Sequence, residues 1–219
     1  MKFSSYLFDF DGTLADSMQV WSEKVTRILE EEGVAYPDDL ISTVTPLGDV
    51  GTAEYLKGVL GVRASVDEIL DRMNAYALPK YRESIGLKEG VLEYLSYLKR
   101  RECTLSLLTA SPREAIIPCL RRNGIYEMFD NIWTCDDFGK TKADSGIYMD
   151  VSLILRAQPG KIAFFDDNLN ALCAASKCGL FTVGVYDKSN EALSAELAEL
   201  TDLYIRSFYD LPIAALKVG

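Results

Sequence analysis

The stretch Tyr6-Leu7-Phe8-Asp9-Phe10-Asp11-Gly12-Thr13 decides the fold. Three apolar residues run straight into two carboxylates at i and i+2, the pattern of a short buried strand with acids at its end. Residues two apart on an extended chain project to the same face. Both acids are therefore expected at the carboxyl edge of a sheet, where open α/β proteins gather their ligands. Gly12 lets the chain turn sharply just after them. Two like charges held so close invite a divalent cation. Taken alone, residues 9–13 are also compatible with a plain Asp-Gly turn at a strand end.

Outward from this stretch, further apolar runs fall at 104–108, 131–134, 161–165, 181–185 and, more weakly, 203–205. Runs without polar alternation are expected where both faces of a parallel sheet are covered. Amphipathic patterns separate them. Val91, Leu92, Leu95 and Leu98 form one helical stripe. Ser111-Pro112-Arg113-Glu114 reads as a capping box with proline at the first helical position, Pro118 as a kink and Gly124 as a stop. A helix over 168–178 is expected to end at Gly179 in the same way. The fold class is thus α/β, a doubly wound parallel sheet.

Residues 16–84 break the alternation and carry no strand pattern. Met18, Trp21, Val25, Ile28 and Leu29 share one helical face; Tyr55, Leu56, Val59 and Leu60 share a second. Ser65-Val66-Asp67-Glu68 is another capping box, leading to Ile69 and Met73. The expected organisation is an α/β core from residues 1–15 and 85–219, with a small helical domain at 16–84 inserted after the first strand. The chain crossings near 14–17 and 81–87 are expected to act as hinges.

Composition narrows the chemistry. The chain has 219 residues, and 23 Lys and Arg against 33 Asp and Glu give a net charge of −10. Such a surface repels nucleic acid and anionic membranes. No apolar run approaches the ~20 residues that span a bilayer, and the N-terminus is not read as a signal peptide. The five cysteines are odd in number and form no C-x-x-C pair, so reduced thiols and a cytoplasmic location are expected. There is no histidine. Ser-His-Asp and Cys-His catalysis and His-ligated zinc are excluded, leaving carboxylates, lysine, hydroxyls and metals. A monomer is the default expectation.

A second acidic pair lies in Phe164-Phe165-Asp166-Asp167-Asn168, again at the end of an apolar run and before a helix. Asp167 is compatible with a helix N-cap, or with both roles at once. Two strand-terminal acidic pairs in one sheet point to a shared Mg²⁺ site.

With these residues in view, the chain resembles the haloacid dehalogenase superfamily, and specifically its members with a small helical cap after the first strand, over essentially its whole length. Residues 9–13 match the first motif, D-x-D-G-T. Leu107-Leu108-Thr109 matches the second, an apolar strand ending in Thr or Ser. Phe165-Asp166-Asp167 matches the fourth. The third motif, a lysine before a helix, is matched by Lys142 when Ile147-Tyr148 is aligned; the prolines and the Asp that usually follow are missing, and Lys140 is the alternative.

The resemblance implies the site roles. Asp9 is the nucleophile that becomes phosphorylated, and Asp11 the general acid and base. Asp9, the Asp11 carbonyl and Asp167 ligate Mg²⁺, and Asp166 holds metal-bound waters. Lys142 neutralises charge, and the Thr109 hydroxyl and the Ala110 N–H bind the phosphoryl group. The implied function is a Mg²⁺-dependent phosphatase of a small phosphorylated metabolite. One alternative is a phosphosugar mutase; mutases of this type carry a histidine where this chain has Trp21. A non-catalytic relative that binds a phosphorylated ligand is the other. Trp21, Lys24, Lys57, Arg63, Tyr81 and Arg82 are candidate substrate contacts on the cap or its hinges, although an ordinary packing or surface role is the default reading of each.

Overall fold

The computed structural model describes residues 3–211. Among them, strands β1 (Ser5–Phe8), β2 (Thr104–Thr109), β3 (Asn131–Thr134), β4 (Ile162–Asp166), β5 (Phe181–Val185) and β6 (Leu203–Ile205) form one parallel sheet in the order β3-β2-β1-β4-β5-β6. Successive side chains take opposite faces. Tyr6, Phe8, Leu105, Leu107 and Phe165 enter one core, closed by α5 (Val91–Lys99) and α6 (Arg113–Arg122). Leu7, Leu108 and Phe164 enter the other, closed by α7 (Ser145–Leu155), α8 (Leu169–Lys177) and α9 (Ser194–Leu200). A Leu or Phe buried in this way contributes about 1.5–3 kcal/mol, which is why these strands are apolar on both sides. The doubly wound parallel sheet is the architecture expected from the sequence. Strand order reverses between β1 and β4, so their carboxyl ends flank the crevice where such sheets hold ligands.

Between β1 and α5 run four further α-helices: α1 (Met18–Glu32), α2 (Leu40–Val44), α3 (Gly48–Gly58) and α4 (Val66–Glu83). They close on a third core built from Met18, Trp21, Val25, Ile28, Leu29, Leu56, Ile69 and Met73. The Ser65–Glu68 capping box starts α4 as expected. The two crossings pair with each other. Ala15 bridges Leu87 antiparallel, the Asp16 N–H donates to the Gly86 carbonyl at 3.0 Å, and the Lys88 N–H donates to the Leu14 carbonyl at 2.9 Å. Further out, α4 packs along α6, and α2 touches the short helical turn Lys188–Leu193 of the α/β part.

Several local expectations are corrected. Helix α3 ends at Gly58, so Val59 caps it and stands 65% exposed instead of sharing a face with Leu56. On α5 the buried stripe is Val91, Tyr94, Leu95 and Leu98, and Leu92 faces solvent. The Ser111 capping box does not form: Pro112 is the N-cap of α6, and the Ser111 hydroxyl turns to Asp11. The N-cap of α8 is Asn168, whose side chain accepts from the Asn170 and Ala171 N–H groups, so Asp167 is free of that duty. Among the described residues no helix is long and apolar enough to cross a membrane.

Candidate active site

The β1–β4 ladder continues one step past β1. The Asp9 N–H donates to the Phe165 carbonyl at 2.9 Å, which sets Asp9 beside Asp166 at the sheet edge. Asp167 follows on the loop into α8. Each of Asp9, Asp166 and Asp167 is buried, and one carboxylate oxygen from each lies within 4.8 Å of the others.

Gly12 makes this cluster possible. Its φ is +75°, and a Cβ there would lie 2.6 Å from Asp167 Oδ2, so the turn after Asp11 presses directly on the Asp167 carboxylate. The Thr13 hydroxyl donates to Asp167 Oδ1 at 3.3 Å, and the Asn190 amide donates to Asp167 Oδ2 at 2.8 Å. The Asn168 N–H donates to Asp166 Oδ1 at 2.8 Å.

Among the described residues one ammonium bonds to the cluster. Lys142 Nζ lies 2.5 Å from Asp9 Oδ1 and 2.8 Å from Asp166 Oδ2. The Tyr148 hydroxyl donates to the Lys142 carbonyl at 2.8 Å and anchors the loop that delivers it. Lys140 points elsewhere, to Asp150 at 2.5 Å.

Three buried carboxylates against one ammonium leave an excess of negative charge. Burial pushes the Asp9 carboxyl up to about 7; Asp166 and Asp11 push the same way and Lys142 opposes them. Burial, then Asp166, Asp9 and Asp187, hold the Asp167 carboxyl well above the usual range. For Lys142 burial acts downward, but Asp166 and Asp9 outweigh it and hold the ammonium well above an ordinary lysine. A cluster of hard oxygen donors that retains protons is a good fit for a small divalent cation, which displaces those protons and balances the charge.

Asp11 is part of a different arrangement. Its carboxylate accepts from the Ser17 hydroxyl at 2.6 Å, the Tyr81 hydroxyl at 2.5 Å and the Ser111 hydroxyl at 2.6 Å. Burial and the Asp11 charge hold the Tyr81 phenol well above its ordinary value, so it stays protonated as a donor. Thr109 is buried at the end of β2, where its hydroxyl oxygen accepts from the Ser111 N–H at 3.0 Å; Ala110 is exposed next to it.

The structure thus brings Asp9, Lys142, Asp166 and Asp167 together and sets Asp11 among hydroxyls a few residues away. Sequence reading missed Ser17, Ser111, Lys88 and Asn190. Only a Ser two residues past the second motif offered a signal, and it was absorbed by the capping pattern. Of the cap candidates, Tyr81 reaches Asp11. Lys24 is buried against Asp49 at 2.6 Å, Lys57 donates to the Ala64 carbonyl, Arg63 pairs with Glu32, and Arg82 is exposed. Trp21 is 8% exposed and packs with Met18 and Val25. A cleft of about 840 Å³ opens beside the crossings, with Asp16, Met18, Lys88, Asp187 and Arg206 in its wall. Asp9 and Asp11 take no part in that wall.

A family model described as haloacid dehalogenase-like hydrolase matches residues 6–185. The chain is 30% identical over 201 residues to a validoxylamine A 7′-phosphate phosphatase of Streptomyces hygroscopicus subsp. limoneus, covering 90% of this chain and 92% of that protein. It is 26% identical over 186 residues to a phosphorylated carbohydrates phosphatase of Thermotoga maritima, covering 84% and 86%. Its fold is similar to that of CbbY from Rhodobacter sphaeroides, solved in complex with phosphate, with a TM-score of 0.80 at 21% identity over 95% of this chain and 96% of that one.

Proposed function

The chain belongs to the haloacid dehalogenase-like hydrolases and is a phosphoric monoester hydrolase, and we propose that it releases phosphate from a small phosphorylated sugar or sugar-like metabolite through an aspartyl phosphate on Asp9. The observation that carries this reading is the buried Asp9 carboxylate, paired with Lys142 at the sheet edge, with a second acid two residues on. The substrate class is supported by relatives named for validoxylamine A 7′-phosphate and for phosphorylated carbohydrates.

In the first step an Asp9 oxygen attacks phosphorus and the P–O bond to the leaving group breaks. Asp11, protonated in the substrate complex, gives that proton to the departing oxygen. In the second step Asp11 takes a proton from water, the water oxygen attacks phosphorus, and Asp9 is regenerated with inorganic phosphate. Lys142 lies against the attacking carboxylate and offsets the repulsion between two anions that must meet. The Thr109 hydroxyl and the Ala110 N–H are assigned to the phosphoryl oxygens. Asp9, the Asp11 carbonyl and Asp167 would hold Mg²⁺, with Asp166 behind them. When bound, the ion supplies charge neutralisation to the phosphoryl group and its attacking oxygen. Asp11 must leave Ser17, Tyr81 and Ser111 to reach the leaving group.

We assign 16–84 as a cap that excludes water during this exchange, and 1–15 with 85–219 as the core. The odd, dispersed cysteines support a cytoplasmic setting. A panel of phosphorylated sugars and polyols, assayed for phosphate release with Mg²⁺ and with a chelator, tests the proposal. A hydroxylamine-sensitive phosphoenzyme is expected in the wild type and not in Asp9→Asn. Release that survives in Asp9→Asn would falsify the assignment.

A further inference from the structure

Lys88 stands just past the second crossing, and its side chain is only 15% exposed. An ammonium has three protons to donate, and Lys88 has three acceptors for them. These are the Gly12 carbonyl at 2.7 Å, the Tyr186 carbonyl, and Asp187 Oδ2 at 3.0 Å. All its donors are committed inside the protein, so it is not available to a substrate phosphate. Its partner Asp187, 6% exposed at the side chain, is committed as well. Asp187 Oδ1 accepts from the Ser189 N–H at 2.9 Å and the Ser189 hydroxyl at 2.7 Å, and its carbonyl accepts from the Asn190 N–H at 3.1 Å.

These bonds fold the chain after β5 so that Asn190 turns inward. Its amide donates to Asp167 Oδ2 at 2.8 Å and to the Asp167 carbonyl at 3.2 Å. The circuit closes through Gly12, which abuts Asp167, and Thr13, whose hydroxyl donates to the other Asp167 oxygen. The path therefore runs from the turn after the first acidic pair, through Lys88, Asp187 and Asn190, to the second acidic pair.

Resting on the reading of this cluster as a cation site, we propose that Lys88 and Asn190 are positioning residues for it, the two ends of a brace that fixes Asp167 against the turn carrying Asp9 and Asp11. Two loops from distant parts of the chain supply the ligands, and main-chain pairing of β1 with β4 stops at Asp9. Beyond that point the separation of the loops is set by side chains. Partners behind metal ligands that orient them typically change metal affinity by about 10–100-fold when removed. Removing either end of the brace removes no ligand but lets Asp167 and the Gly12 turn drift apart.

The test is calorimetric titration of Mg²⁺ into the metal-free full chain for wild type, Lys88→Met and Asn190→Ala, with amide hydrogen exchange read at residues 12–14. Both variants are expected to weaken Mg²⁺ binding by about 10–100-fold, and turnover lost at limiting Mg²⁺ is expected to recover as Mg²⁺ is raised. Exchange at 12–14 should quicken in Lys88→Met. A purely structural role would lower the melting temperature and leave the Mg²⁺ affinity of the folded protein where it was, and that result overturns the brace. Lys88→Met strands the Asp187 carboxylate; if it does not fold, Asn190→Ala decides alone, since it removes a half-buried amide and strands no charge. A wild type that binds no Mg²⁺ overturns the reading of the site, and the brace with it. A wild type that binds while both variants bind equally well overturns the brace only.

Discussion

Tyr81 donates its hydroxyl to Asp11 Oδ1 at 2.5 Å, joining the last turn of α4 to the acid two residues beyond Asp9. Ser17, at the end of the other crossing, donates to the same oxygen at 2.6 Å. Both chain crossings between helices and sheet therefore grip one carboxylate, and Ser111 of the α/β part holds its other oxygen. In the proposed mechanism this is a resting grip that Asp11 must release.

Asp11→Asn and Tyr81→Phe should then behave differently. Loss of a general acid and base costs about 10²–10⁴-fold in turnover, and that is the expectation for Asp11→Asn. Tyr81→Phe removes one hydrogen bond to a charged group, a stabilisation of about 1.5–3 kcal/mol, and leaves Ser17 and Ser111 in place. Its kcat/KM should stay within about tenfold of wild type while its melting temperature falls. Equal collapse of both variants would place Tyr81 in the chemistry itself.

The protons retained at the cluster give a signed pH dependence. Asp9 sits near 7 in the folded, metal-free chain, against about 3.9 in an unfolded one. The folded state thus holds a proton that the unfolded state has already released. This group's contribution is at its most favourable below about pH 4 and is lost as the pH rises through about 7. Metal-free wild type should melt at a lower temperature at about pH 8 than at about pH 5, and Asp9→Asn should flatten that slope. Because Mg²⁺ must displace the protons on Asp9 and Asp167, its stabilising shift should be larger at the higher pH. Melting curves across pH with and without Mg²⁺ decide it; a shift that shrinks as pH rises contradicts the cation site.

Lys142 and Lys140 separate cleanly. Lys142→Ala leaves three buried carboxylates without their ammonium, a loss of about 3–5 kcal/mol for a broken buried pair. Its kcat/KM should fall by orders of magnitude, since the neutralising charge at Asp9 is gone. Lys140 pairs with Asp150 at a part-exposed position, and such pairs contribute little. Lys140→Ala should be near neutral in both melting and turnover. The opposite ranking would mean that the lysine facing Asp9 is not the one the chemistry uses.

How much of this was legible in the sequence follows from where each constraint originates. The apolar runs were legible because a strand buried on both faces carries few polar residues, and the acidic pairs because they terminate such runs. The circuit behind them was not legible. Lys88 meets Gly12, and Asn190 meets Asp167, across separations that no local pattern encodes. Local templates also misled. Ser111 matched a capping box, but Pro112, one residue on, occupies the N-cap of α6, and the Ser111 hydroxyl donates to the Asp11 carboxylate. Asp167 matched an N-cap one residue early, because Asn168 offers the same chemistry without a charge needed elsewhere. Leu92 fitted a helical stripe by spacing while lying beyond the covered arc of α5, and Val59 fitted one while lying past the end of α3.

Gly12 offers the sharpest test of the geometry. Two separate demands act on it: a φ of +75°, and contact so close that a Cβ would lie 2.6 Å from Asp167 Oδ2. The first costs an alanine about 1–2 kcal/mol anywhere in the left-handed region. The second is particular to this place, because Asp167 cannot swing aside without breaking its bonds to Thr13 and Asn190. Gly124, just past α6, is a control: its φ is +71°, and an added Cβ would meet nothing within 4 Å. Gly124→Ala should therefore lose stability by the backbone term alone and keep its turnover and its response to Mg²⁺. Gly12→Ala should lose stability by at least as much, lose most of its turnover, and show little rise in melting temperature when Mg²⁺ is added. If the two variants were to lose stability equally and retain the same Mg²⁺ response, the turn after Asp11 would be only a turn, and its contact with Asp167 would have no part in building the site.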